Sequence, residues 1–105
     1  MTDRRPEWSA EAAADLVGKR VLIGMTIVQG DEHYQEQMFG TITQAESERG
    51  FRVALEGART GEDYWLPPDV QNFFPADPGE YRLRSTGEVV VDPGLTSTWT
   101  LHGPT

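Results

Sequence analysis

Apolar positions along the chain fall in short segments broken by Gly and Pro, and one segment is longer than the rest. Val21-Leu22-Ile23-Gly24-Met25-Thr26-Ile27-Val28 is too short for a buried helix of ordinary length and is rich in β-branched residues. Both sets of alternate positions are apolar except at Gly24 and Thr26, so the pattern predicts a central strand covered on both faces. Before it, Ser9 is placed to cap a short helix over Ala10–Val17, with Glu11 in the first turn and Gly18 as the stop. Leu16, Val17 and Trp8 are the residues expected to hold that helix down. Residues 1–8 lack periodicity and read as an arm, with Trp8 as a possible anchor.

After a polar turn at 29–32, a second strand is predicted from Tyr34 to Gln44, interrupted by Gly40, which marks a bulge or a sharp bend. Phe51-Arg52-Val53-Ala54-Leu55 alternates cleanly, with Phe51, Val53 and Leu55 inward. Asp63–Leu66 is a short strand stopped by Pro67-Pro68. The stretch 67–78 holds four prolines and the pair Phe73-Phe74, and reads as an irregular crossover with a 3₁₀ turn near Asp69–Asn72. Tyr81–Leu83 and Val89–Val91 form a hairpin around Thr86-Gly87-Glu88. Leu95–Leu101 closes the pattern, with Thr96, Thr98 and Thr100 on one side and Leu95, Trp99 and Leu101 on the other. Residues 102–105 read as a frayed tail.

Six or seven short strands after one small helix predict a single all-β domain over residues 9–101. Its simplest form is a small, strongly bent SH3-like barrel, with a two-sheet β-sandwich as the structural alternative.

Charge narrows the function classes. Seventeen acidic residues against nine basic ones give a net charge of −8, which opposes the phosphate attraction that nucleic-acid binding depends on. The same excess serves solubility or steers the chain toward a basic protein partner. The absence of cysteine removes disulfides, thiolate metal sites and thiol nucleophiles. No segment approaches the ~20 apolar residues of a membrane span, and Arg4-Arg5 lacks the apolar stretch of a secretory signal, so a cytoplasmic location is expected.

Within this frame, Leu66-Pro67-Pro68-Asp69 and the run Pro78-Gly79-Glu80-Tyr81-Arg82-Leu83-Arg84-Ser85-Thr86-Gly87-Glu88-Val89-Val90 resemble the signature of a family of small bacterial proteins without an established activity. The resemblance extends over about residues 17–101 and implies a bacterial cytosolic β-domain; it brings no catalytic residue with it.

Chemistry-bearing groups have plain structural alternatives. Asp31-Glu32-His33 places three metal-ligand types in a row, but successive residues of an extended turn point apart, so no metal or other cofactor is expected. Asp63, Asp69 and Glu80 lie beside apolar residues, yet serve equally as an edge charge, a cap for a helical turn and an arginine partner. No nucleophile elbow or phosphate loop is present. Arg82 and Arg84, two apart in a strand, share a face and either clamp an anion or pair with Glu80 or Glu88.

The aromatic residues carry the remaining signal, since Tyr34, Trp65, Phe73, Phe74 and Trp99 cannot all be buried if alternation holds. An exposed cluster near the crossover would be a contact surface; alternatively Phe73 and Phe74 plug the barrel end. The sequence therefore predicts a non-enzymatic acidic protein-binding module, an immunity-type or adaptor protein, using Tyr34, Trp65, Asp69, Phe73, Phe74, Arg82 and Arg84. The alternative is a ligand-binding or enzymatic pocket at the barrel end, near Trp65, Asp69, Phe74 and Arg82. Self-association through an exposed edge, at Tyr34–Gln37 or Leu95–Leu101, is a third option.

Overall fold

The computed structural model describes residues 8–102, so the predicted arm, apart from Trp8, and the tail beyond His102 lie outside the described residues. Ser9 Oγ accepts a hydrogen bond from the Ala12 N–H at 3.2 Å and opens helix α1 (Ala10–Leu16). Seven residues do not sustain a helix alone, and the buried Ala13 and Leu16 hold it against the sheet. Val17, expected beside them, is exposed, because the helix ends at Leu16 and the chain turns away there. At Gly18 the chain takes φ +93°, and its N–H donates to the Ile42 carbonyl at 2.7 Å.

The strands that follow are β1 (Arg20–Gln29), β2 (Glu32–Glu46), β3 (Gly50–Leu55), β4 (Asp63–Leu66), β5 (Phe74–Pro75), β6 (Glu80–Arg82), β7 (Val89–Val91) and β8 (Leu95–His102). Six of them form one sheet in the order β4-β3-β2-β1-β8-β5, and β6 with β7 forms a separate hairpin. Neighbours are antiparallel except β1 and β8, which run parallel from Val21 opposite Leu95 to Val28 opposite His102. His102, assigned to the tail by the sequence pattern, is thus part of a strand. The fold is mostly β, as expected, but the ladder does not close: β4 and β5 are its two edges.

Curvature brings those edges toward each other without a ladder between them. Five strand spacings would place the edges of a flat six-stranded sheet roughly 24 Å apart. Only residues 67–73 connect β4 to β5, and part of that length is spent in a turn, Asp69 N–H to Pro67 O at 2.8 Å, and in a 3₁₀ turn at Val70–Asn72. The sheet curls to let so short a segment cross. Phe73, at the end of the segment, fills the resulting hollow: its ring centroid lies 4.8 Å from that of Phe51 on β3 and 6.0 Å from that of Trp99 on β8, both edge-on. Trp8 extends the row from the other side, 5.4 Å from Phe51.

Val21, Ile23 and Met25 on the inner face of β1 join Met38, Ile42, Phe51, Val53, Leu55 and Leu66 in the main core. On the outer face, Leu22 packs with Phe39, Leu83 and Val90 beneath the β6–β7 hairpin. The two-faced coverage expected of the central strand therefore holds over its first half. Gly40 pairs in register with Val21 and Leu55, and the bulge falls after it, between Ile42 and Gln44. A Cβ at Gly40 would lie 2.3 Å from the Ala54 carbonyl oxygen, so the glycine serves a close approach of β3.

Phe73→Ala is expected to lower unfolding free energy by about 3–5 kcal/mol in urea denaturation, whereas Phe74→Ala, on the adjacent but exposed ring, should stay within about 0.5 kcal/mol. Equal effects of the two changes would show that the inward ring does not hold the curl.

Candidate functional site

The outer halves of three strands extend past the packed body. β3 meets β2 only from Gly40 onward, and β5 meets β8 only at Leu95 and Thr96. Beyond those points residues 32–37 of β2, 24–29 of β1 and 98–102 of β8 form a three-stranded ribbon with β1 in the middle. Among the described residues no further strand pairs with either side of it. Such edges present unpaired backbone donors and acceptors.

Register fixes what each face of the ribbon carries. Ile27 lies opposite Tyr34 on β2 and Leu101 on β8, and Met25 opposite Glu36 and Trp99, so these residues share the inner face. Ile27 and Trp99 pack onto the core, while Tyr34 and Leu101 are 46% and 38% exposed. The result is an apolar row that runs out of the core into solvent. Glu32 and Glu36 flank Tyr34 at two-residue spacing on the same side of β2. The Tyr34 hydroxyl donates to the Glu32 carboxylate, which holds the phenol above its ordinary pKa of 10.0, with a smaller contribution from desolvation. Arg59 borders the patch: its guanidinium donates to Glu62 at 3.0 Å and to Met38 Sδ at 3.6 Å. The hydrogen bond to Glu62 raises its pKa most, burial opposes this, and the charges of Glu62 and Glu36 add to the rise.

The other predicted site residues are dispersed. Trp65 lies on β4 opposite Arg52, its ring covered by the Arg49 guanidinium at 4.0 Å. Asp69 caps the 3₁₀ turn, accepting from the Gln71 N–H at 3.1 Å, the structural role its position allowed. Phe73 is 8% exposed and belongs to the core rather than to a contact surface. Phe74 is 53% exposed but sits on β5, at the opposite edge of the sheet from Trp65. Arg82 lies on the β6–β7 hairpin opposite Val89. Trp65, Asp69, Phe74 and Arg82 line neither of the two clefts found among the described residues, and between the two edges the crossover turns Phe73 inward onto Phe51.

Arg82 and Arg84 do not share a strand face. β6 ends at Arg82, and Arg84 belongs to the following loop, where its backbone N–H donates to the Gln37 side-chain carbonyl. Among the described residues neither arginine forms an ion pair; Glu88, one expected partner, accepts instead from the Ala58 N–H at 2.8 Å and the Thr86 hydroxyl at 2.9 Å.

Tyr34 is the one predicted residue at the ribbon patch. The sequence pattern places Leu101 with Leu95 and Trp99 on one side of the last strand, but only the parallel β1–β8 pairing brings it beside Ile27. The same pairing sets His33 and His102 on either side of Val28 on the outer face; among the described residues no three His, Cys, Asp or Glu side chains gather closely enough to hold a metal. No described helix is long and apolar enough to cross a membrane. No family model matches the chain, and neither a curated protein nor a solved structure matches it.

The phenol of Tyr34 is neutral in the hydrogen-bonded state, so its bond to Glu32 is present below the unfolded value and lost as pH rises through the higher folded value. Titration followed by tyrosine ring carbon NMR should show Tyr34 ionising above 10.0, and Glu32→Gln should bring it down. An unchanged titration in that variant would contradict the contact.

Proposed function

We propose that the protein is a non-enzymatic binding module whose ribbon takes an extended, basic segment of a partner protein. The observation that carries this reading is the row Tyr34–Ile27–Leu101 beside the outer edge of β2, which no described strand covers, with Glu32 and Glu36 on either side of the tyrosine. A strand added to such an edge gains main-chain hydrogen bonds, and its alternate side chains meet the surface beside it. Lysine or arginine at those alternate positions would reach Glu32 and Glu36, while an intervening apolar residue would cover Tyr34.

The net charge of −8 supports the same partner class by steering a basic chain toward the domain. Neutralisation of a basic toxin, as by an immunity-type protein, and service as an adaptor are both roles within this class. The frame fits that use: a strongly bent, barrel-like sheet, completed by packing rather than by a closing ladder, supplies rigidity on one side and leaves the ribbon accessible on the other.

Random peptides displayed on phage and selected on the immobilised domain test the reading. The expected winners alternate Lys or Arg with apolar residues and lose affinity as salt rises. Tyr34→Ala should weaken them by about 30-fold, and Glu32→Lys with Glu36→Lys should abolish binding while the melting temperature stays near that of the parent. Selection of peptides without basic residues, or undiminished binding after the charge reversal, would overturn it.

A further inference from the structure

The outer face of the same ribbon is built differently. A cleft of about 560 Å³ opens there between the three strands and the loop after β6. Its floor is polar: Gln37, Gly24 and Thr98 form one cross-strand row, and Gln35 lies opposite Thr26 in the next. Arg84 and Ser85 form the wall. Met25 and Glu36 reach the cleft from positions whose side chains belong to the inner face.

Gly24 is the informative residue. Glycine weakens the interior of a strand, and inside a central strand it marks a bulge, a bend or a close approach. None applies here. Its φ is not positive, it pairs in register on both sides, and a Cβ at this position would meet only Thr98 Cγ2, at an ordinary 3.6 Å. Nothing in the fold requires the missing side chain, and its absence leaves the middle of the cleft floor open.

The wall is held in place before anything binds. The Arg84 N–H donates to the Gln37 side chain, the Gln37 N–H donates to Ser85 Oγ at 3.3 Å, and the loop is closed by Leu83 N–H to Glu88 O and Gly87 N–H to Leu83 O, each at 2.7 Å. The Arg84 side chain is exposed and, among the described residues, has no carboxylate partner in a chain rich in carboxylates.

We infer that this cleft binds a small polyhydroxylated anion, a sugar acid or a sugar phosphate, with the anionic group on Arg84 and the ring lying over Gly24. A guanidinium suits either a carboxylate or a phosphoryl group. The amides of Gln35 and Gln37 and the hydroxyls of Thr26, Thr98 and Ser85 both donate and accept, which matches the hydroxyl groups of a sugar ring. The cleft lies within the ordinary size range of small-ligand sites, and its preformed loop lowers the ordering cost of binding.

NMR titration of the ¹⁵N-labelled domain with D-glucuronate and with D-glucose 6-phosphate tests this, with D-glucose and inorganic phosphate alongside. Saturable shifts are expected at Gly24, Thr26, Gln37 and Ser85 with at least one of the two anionic sugars, and the preferred one identifies the anionic group. Glucose should bind at least about tenfold more weakly, and Arg84→Gln should weaken the anionic sugar by a similar factor. Gly24→Val should keep or raise the melting temperature and abolish the shifts. The inference fails if neither anionic sugar shifts these amides, if Arg84→Gln binds as well as the parent, or if phosphate alone binds as tightly as the sugar phosphate. It also fails if Gly24→Val lowers the melting temperature, because the glycine then serves the fold.

Discussion

The short connection between β4 and β5 is the constraint on which the rest of the structure depends. Residues 67–73 must join the two edges of a six-stranded sheet, and they do so with a tight turn and a 3₁₀ turn along the way. The sheet can satisfy this only by curling, and the hollow of the curl must then be filled. Phe73 fills it from the connection itself, meeting Phe51 from one side of the sheet and Trp99 from the other. Covalent reach and aromatic packing thus act together, without a hydrogen-bonded seam between β4 and β5.

A consequence is that the long strands are divided. In their inner halves β1, β2 and β8 are flanked by β3 and β5, packed against the main core and partly roofed by the β6–β7 hairpin. In their outer halves the same strands have no such cover, and composition changes accordingly. One face continues the core as Ile27, Tyr34 and Leu101 with carboxylates beside them; the other becomes an amide and hydroxyl surface under the Arg84 loop. The packed half supplies stability, and the projecting half offers two chemically distinct surfaces on a rigid support.

Much of this was readable from local pattern. The Ser9 cap, the bounds of β4, the inward set Phe51, Val53 and Leu55, and the threonine-bearing face of β8 follow from spacing alone. What escaped was long-range or depended on single contacts. Nothing local distinguishes Phe73 from Phe74; neighbouring residues in extended chain point oppositely, and tertiary packing decides which is buried. The parallel pairing of β1 with β8 joins segments some seventy residues apart and has no local signature, so the patch and the cleft, both of which need it, were not assembled from sequence. In the sequence pattern Gly40 marks a bulge or a sharp bend, but the glycine serves the close approach of β3, and the bulge lies farther along, between Ile42 and Gln44.

Amide hydrogen exchange over a range of protein concentrations reads whether the outer ribbon is a free surface on an otherwise packed sheet. Strong protection is expected at Val21–Ile23 and Met38–Ile42, with exchange at least about tenfold faster for the outward-facing amides of residues 32–36 and 99–102, at every concentration. Equal protection of both halves of β2, or protection of the ribbon that grows with concentration, would contradict this, because the edge would then be covered already.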